Sequence, residues 1–178
     1  MGHAELIEVA VIVAREAIDS PWQPFRWRPV EVTIGSSGLA DWTEVGRDER
    51  SVLYHAATVP LELHRKETDS YLANLNSGDP AVYVVLRFDP EAERTVSVLL
   101  ATASPYEAQA YGDSGQETIE QVAMPAQLIA RLEQFVTEHH EEKKFVKRQR
   151  EKHHREEDHL FGKEPIFAAD RFGTERKR

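Results

Sequence analysis

Apolar and polar side chains alternate along much of the first 125 residues, a two-residue period that is typical of β-strands with one buried face. In 59–64, for example, the odd positions are all apolar, while Glu62 and His64 occupy two of the even positions. Pro29 and Pro60 interrupt two of the stretches, and because proline cannot donate to a strand ladder, they indicate edge strands or bulges. The stretches with strand character are 9–14, 25–34, 42–45, 52–57, 59–64, 81–88, 95–102 and 117–122.

Three segments change to the spacing of a helix. Within 66–75 apolar residues recur at helical intervals, which predicts a short helix. Ser104, Pro105 and Glu107 form a capping box, in which Ser104 accepts from the Glu107 amide and the Glu107 side chain returns a bond, so a second short helix is predicted from Pro105. The longest helix is predicted to begin at Pro125, and its apolar stripe consists of Leu128, Ile129, Leu132, Phe135 and Val136.

This order of elements predicts an α+β fold. We expect a curved, mostly antiparallel sheet or partly closed barrel of about seven strands, with a long C-terminal packing helix and two short helices. Beyond residue 140 charged residues dominate. The sequence therefore predicts a compact domain over 1–140 and a charged extension over 141–178, helical at first and then extended or disordered.

The charge of the chain is unevenly distributed. The 178 residues carry a formal net charge of -9, from 22 Lys and Arg against 31 Asp and Glu. Residues 1–140 hold 10 basic and 22 acidic side chains, a net charge of -12, whereas 141–178 hold 12 basic and 9 acidic ones, a net charge of +3. An acidic domain repels phosphate backbones and anionic lipids, which argues against nucleic acid or a membrane as its partner.

The absence of cysteine excludes whole classes of chemistry from this chain. With no cysteine there is no disulfide, thiolate-bound zinc, iron–sulfur ligation or cysteine nucleophile. The longest apolar run, 9–14, is far shorter than the roughly 20 residues that span a bilayer. We therefore expect a cytoplasmic protein that does not enter a membrane.

No catalytic motif accompanies the histidines. The segment 35–38 lacks the residues of a phosphate-binding loop, and no nucleophile elbow is present. His55 and His64 fall in predicted strands, and Glu62 shares a face with His64, which is compatible with acid–base chemistry or with a surface pair. The sequence favours a non-catalytic protein with no cofactor. A small enzyme or ligand-binding barrel that uses His55, His64 and nearby acids is the alternative.

Histidines also cluster with acids near the C-terminus. If 143–159 is helical, His153 lies one turn from Glu157 and His154 one turn from Asp158, which can place two metal ligands on one face. A solvated helix with charged pairs at the same spacing explains the pattern equally. The sequence therefore predicts no metal site. If one existed, these four residues would be the candidates for its ligands.

A partner-binding surface is predicted where aromatic residues and arginine concentrate. Trp22, Arg26, Trp27 and Arg28 combine large contact area with directed polar groups, as interface hot spots do, although Trp27 is equally compatible with a core position. Phe161 and Phe167 resemble the isolated apolar anchors of a docking segment, or they fold back onto the domain. Basic residues in 143–155 leave a nucleic-acid adaptor as a second alternative.

Short sequence pieces occur in a fixed order along the chain. They fall in 22–30, 54–56, 61–68, 83–87, 102–115, 124–125, 145–148 and 161–165. Together they resemble an uncharacterised proteobacterial family that is catalogued as a domain of unknown function, and the resemblance covers roughly 9–167. Members of that family tend to be encoded beside molybdenum-dependent formate dehydrogenase subunits and their maturation factors. The resemblance therefore implies an accessory or assembly role and a formate dehydrogenase subunit or maturation factor as the protein partner.

Overall fold

The computed structural model describes residues 4–89, 95–113, 115 and 117–141. These residues form seven strands, three α-helices and one 3₁₀ turn, which confirms the α+β class. The strands are β1 (Ala4–Ala17), β2 (Phe25–Ile34), β3 (Thr43–Arg47), β4 (Ser51–His64), β5 (Ala81–Phe88), β6 (Val96–Thr102) and β7 (Glu117–Ala123). The helices are α1 (Thr68–Leu75), α2 (Pro105–Gly112) and α3 (Ala126–His139), and the 3₁₀ turn is Arg65–Glu67.

The strands are divided between two antiparallel sheets. One sheet has the order β2-β1-β4-β3 and the other has the order β6-β5-β7. The expected single curved sheet or partly closed barrel is therefore corrected, since no ladder of the described residues closes the two sheets into one. The 3₁₀ turn and α1 follow β4 directly and carry the chain away from it, so that β5 begins a new sheet. The sheets meet where β4 packs against β6 and β2 packs against β7.

Two bulges lie side by side in the four-stranded sheet. The register of β1 shifts against β4 between Val11 and Ile12, and against β2 between Ile12 and Val13. Pro29 lies at the second of these shifts, opposite Val13, on an edge strand. A bulge adds one residue to one strand of a pair and increases the local twist. The extra residues belong to β2 and β4, so both neighbours of β1 are bulged at nearly the same level.

The core lies where the sheets meet the helices. Alternate residues of β1, from Ile7 to Val13, are buried, as the two-residue period requires. From α3, Leu128 and Leu132 are fully buried, and the ring of Phe135 meets the ring of Tyr71 at 6.1 Å between centroids. Helix α3 therefore covers the core through its predicted apolar face and fixes α1 beneath it.

The described residues belong to one compact unit that ends at residue 142. The predicted boundary near residue 141 and the helical or extended character of 141–178 stay predictions, because that segment lies almost entirely outside the described residues. None of the helices in the described part of the chain is long and apolar enough to cross a bilayer.

Candidate functional site

Two segments that are distant in sequence meet at the first turns of α1 and α2. The hydroxyls of Ser70 and Ser104 lie 2.8 Å apart, and both residues are buried. Ser104 donates its one hydroxyl proton to Glu67 Oε2 at 3.1 Å, so Ser70 is the donor to Ser104. Ser70 in turn accepts from the amide of Tyr106 at 3.2 Å. A chain of hydrogen bonds thus runs through the interior and ends on the Glu67 carboxylate.

The same serine begins α2. Ser104 Oγ accepts from the amide of Glu107 at 3.1 Å, as the predicted capping box requires. The predicted return bond from the Glu107 side chain is wrong, because the amide of Ser104 donates to Thr102 Oγ1 at 3.0 Å instead. The hydroxyl proton of Thr102 is then available for Glu107 Oε2, which it meets at 2.6 Å. The carboxylates of Glu67 and Glu107 are therefore each held by one hydroxyl of the segment 102–104.

These carboxylates line a cleft of about 470 Å³, which we call the polar cleft. A second cleft of about 350 Å³ lies between β4, β6 and α2 and shares Glu107 with it. The Nε2 atom of His64 lies 3.1 Å from Glu62 Oε2 at the edge between the two clefts. The polar cleft is lined by His64, Arg65, Lys66, Glu67, Tyr106, Glu107 and Ala110.

The charges of the polar cleft are not neutralised within the described residues. Glu67 and Glu107 are half-buried, and neither has a described Lys, Arg or His within ion-pair distance. Arg65 and Lys66 are exposed, and neither pairs with a described carboxylate. The polar cleft therefore presents two half-buried negative groups beside two exposed positive ones.

A buried tyrosine lies next to these carboxylates. The Tyr71 hydroxyl accepts from the amide of His64 at 3.0 Å and donates to the carbonyl of Glu62 at 3.4 Å. The pKa of Tyr71 is raised to about 12, mainly by burial and also by the negative charges of Glu67, Glu107 and Glu62, while the hydrogen bond from the His64 amide opposes the rise. The phenol therefore stays neutral at ordinary pH and holds the end of β4 in place.

The structure does not bring the two strand histidines together. His55 is fully buried, with its ring nitrogens 3.3 Å from the carbonyl of Ala40 and 3.2 Å from Thr58 Oγ1. His64 lies nine residues further along β4, on the order of 30 Å away at about 3.3 Å per residue. Among the clefts described, His64 lines one and His55 lines none. The two histidines therefore do not share a site, and His64 has Glu62 beside it and lines the polar cleft with Glu67 and Glu107.

The predicted partner-binding residues of the segment 22–28 lie just before β2 and in its first residues, at one edge of the four-stranded sheet. The side chain of Trp22 is 92% exposed, and that of Phe25 is 40% exposed. Trp27 is half-buried and meets the ring of Trp42 edge-on, with centroids 5.7 Å apart. The guanidinium of Arg15 lies 4.7 Å above the Phe25 ring. Trp22 therefore faces solvent, as a partner-binding residue requires, whereas Trp27 packs inward, as its alternative core position requires.

The two arginines of this segment each lie near a glutamate. Arg28 donates to Glu16 at 2.8 Å, and Arg26 lies 3.7 Å from Glu120 across the boundary between the sheets. Their charges are therefore balanced by neighbouring carboxylates. The surface offers mainly apolar area with neutralised charges at its rim.

Several predicted residues fall outside the described part of the chain. Phe161 and Phe167 are among them, as are the four metal candidates His153, His154, Glu157 and Asp158 and the basic stretch 143–155. Within the described residues no group of three or more histidine and acidic side chains is arranged to hold a metal ion.

Sequence reasoning missed the polar cleft. Its local signal is the capping box, which by itself predicts only a helix start. Nothing in the sequence showed that Glu67 approaches the same serine from another segment, because the two residues are separated by a whole hairpin.

Comparison with known proteins gives one match. A family model described as "Protein of unknown function (DUF3305)" matches residues 8–149. Neither the curated proteins nor the solved structures include a match to this chain.

Proposed function

The chain belongs to the DUF3305 family of proteins of unknown function, and we propose that it is a non-catalytic, cytoplasmic accessory or assembly protein that docks on a partner protein. The exposure of Trp22 carries the proposal, since 92% of this side chain faces solvent. A tryptophan offers roughly 150–250 Å² of contact area, and tryptophan is among the residues enriched at interface hot spots. We therefore assign the docking surface to the segment 22–28.

The docking surface rests on a fixed support. Phe25 lies beneath the Arg15 guanidinium, and Trp27 packs against Trp42 and Tyr54. The Nε atom of Arg15 is buried without a hydrogen-bond partner among the described residues. An anchor held by ordered neighbours loses less conformational freedom on binding than a free loop does. This supports Phe25, which is held by Arg15 and still 40% exposed, as a contact residue beside the exposed Trp22.

The arginines supply the polar rim of this surface. Arg26 and Arg28 are each about half exposed, and ion pairs of this kind contribute roughly 0–1 kcal/mol. Exchanging Glu120 or Glu16 for a carboxylate of the partner therefore costs little. Phe161 and Phe167 remain a second, independent element of the proposed interface.

The partner that we propose is a formate dehydrogenase subunit or its maturation factor, which rests on the family resemblance of the sequence pieces. The experiment is affinity capture from the native host with the full chain and with Trp22→Ser, followed by mass spectrometry. Leu6→Ser is the matched control, because Leu6 is also exposed, at 63%, and lies near the start of β1, whereas the segment 25–28 pairs with the end of β1. A chain with Phe161→Ser and Phe167→Ser tests the second element.

We expect Trp22→Ser to lose the partner and Leu6→Ser to retain it. Equal recovery by the full chain and Trp22→Ser would remove segment 22–28 from the interface. Recovery of partners without any component of a molybdenum enzyme would contradict the proposed partner.

A further inference from the structure

The polar cleft carries an inference that is independent of the docking surface. We propose that it binds a zwitterionic small molecule of the amino-acid or short-peptide class. Its ammonium group would lie against Glu67 and Glu107, and its carboxylate against Arg65 and Lys66. The inference rests on the placement of four charged side chains around one cavity and on the absence of ion pairs among them in the described residues.

The negative side of the cleft is built into the fold. Ser104 holds Glu67 at 3.1 Å and Thr102 holds Glu107 at 2.6 Å, and each bond uses one oxygen of its carboxylate. Both hydroxyl donors belong to buried residues, so their positions are set by packing. Neutral donors leave the negative charges of Glu67 and Glu107 uncompensated. A half-buried carboxylate favours a cation more strongly than an exposed one does, because water screens it less.

The positive side of the cleft is exposed to solvent. Arg65 and Lys66 belong to the 3₁₀ turn at the end of β4, and both side chains are exposed. They line the same cavity as Glu67 and Glu107 without approaching either within ion-pair distance. They can therefore close over a ligand carboxylate without breaking an ion pair that is already present.

Ligands of a single sign fit this arrangement less well. A diamine would pair with Glu67 and Glu107, but its charge would be repelled by Arg65 and Lys66. A dicarboxylate would pair with the two cations, but it would be repelled by the two carboxylates. A molecule with one group of each sign satisfies both sets. The ring of Tyr106, 58% exposed, and the methyl group of Ala110 complete the wall and suit the apolar body of such a molecule.

The size of the cleft is consistent with this class. A volume of about 470 Å³ lies within the usual range for small-molecule sites, roughly 300–1,000 Å³. We therefore choose a dipeptide as the probe. Glycyl-L-leucine has one ammonium, one carboxylate and an apolar side chain, and each charge can be removed separately.

The test is isothermal titration calorimetry on the full chain with glycyl-L-leucine, its N-acetyl derivative and its amide. Putrescine and succinate serve as ligands of a single sign. The protein variants are Glu67→Gln and Glu107→Gln, which keep a hydrogen-bond acceptor, and Lys66→Gln. The control is Glu44→Gln, because the carboxylate of Glu44 pairs with Arg47 on β3. Thermal denaturation of each variant establishes that it is folded.

We expect glycyl-L-leucine to bind at millimolar concentration or below, and each blocked derivative to bind at least tenfold more weakly. Glu67→Gln, Glu107→Gln and Lys66→Gln should each weaken binding of the dipeptide, while Glu44→Gln should not. The proposal is overturned if the dipeptide does not bind, if putrescine or succinate binds more tightly, or if binding survives all three cleft substitutions. None of these results bears on the capture experiment with Trp22→Ser, so the two proposals fail separately.

Discussion

The hydroxyl groups of Ser70 and Ser104 lie 2.8 Å apart in the interior and join the first turns of α1 and α2. Ser104 also caps α2 through the amide of Glu107 and holds the carboxylate of Glu67. One hydroxyl therefore fixes the geometry of both helices and of the polar cleft between them. Its loss should be felt in stability as well as in binding.

We expect Ser104→Ala to lower the free energy of unfolding by about 2–4 kcal/mol. Loss of a helix N-cap costs about 1 kcal/mol, and the buried Ser70 hydroxyl would lose its acceptor at a further cost of about 1–3 kcal/mol. Urea denaturation measures the difference. The control is Ser36→Ala, which removes an exposed hydroxyl bonded only to the Gly38 amide and should stay within about 0.5 kcal/mol. Similar losses of unfolding free energy in Ser104→Ala and Ser36→Ala would show that the buried hydroxyl network does not contribute to stability.

Asn74 is predicted to be a second point of high sensitivity. Its side-chain nitrogen donates to the carbonyls of Ala81 and Ala103, both at 2.8 Å, and its oxygen accepts from the amide of Ala81. These groups are buried, so Asn74→Ala leaves three backbone partners without this side chain, and we expect a loss of about 3–5 kcal/mol. Asn76→Ala, two residues later and exposed, is the matched control and should change stability by less than about 0.5 kcal/mol.

The strands could be predicted from the sequence, but the sheets could not. Alternation identifies which face of a strand is buried and says nothing of which strand lies beside it, so one sheet and two sheets give the same pattern. The sequence pattern also predicts two strands, 52–57 and 59–64, where the structure has the single strand β4, because β4 contains a bulge. Its pairing with β1 skips Ala56, which places Val11 opposite Ala57 and Ile12 opposite His55. The extra residue interrupts the two-residue period although the strand continues.

The polar cleft was hidden by the same kind of ambiguity. Ser104 and Glu107 have a complete local explanation as a helix cap, so the sequence gives no reason to look for a further role. The long-range contact of Ser104 with Glu67 depends on how α1 and α2 pack, which local patterns do not encode. By contrast, the aromatic residues of 22–28 could be identified directly, because a dense cluster is visible without knowledge of the fold.

Trp22 and Trp27 should behave oppositely, although they are five residues apart. Trp22 is almost fully exposed, so Trp22→Ala should change the free energy of unfolding by less than about 0.5 kcal/mol. Trp27 packs against Trp42 and Tyr54, and Trp27→Ala should cost about 2–4 kcal/mol. Urea denaturation of the two variants makes the comparison. A large loss for Trp22→Ala would mean that its ring supports the fold, and would withdraw it as the docking anchor.

The buried Tyr71 should make stability fall at high pH. Burial raises its pKa from 10.0 to about 12, so between these values the folded protein holds a proton that the unfolded chain has released. Stability from this group is therefore complete below pH 10 and declines as the pH rises toward 12. Between pH 9 and pH 11 we expect the wild type to lose roughly 1 kcal/mol more than Tyr71→Phe, which has no proton to release.

Urea denaturation of wild type and Tyr71→Phe at both pH values measures this difference. Tyr71→Phe should also be less stable than wild type at pH 9, because it loses the bonds to the amide of His64 and the carbonyl of Glu62. This difference is already present at pH 9, so it does not enter the change in stability between pH 9 and pH 11. Burial also raises the pKa of Tyr83, but this residue is present in both proteins, so its titration cancels in the difference. If the two proteins lost stability in parallel between pH 9 and pH 11, the pKa of Tyr71 would not be raised in the folded protein.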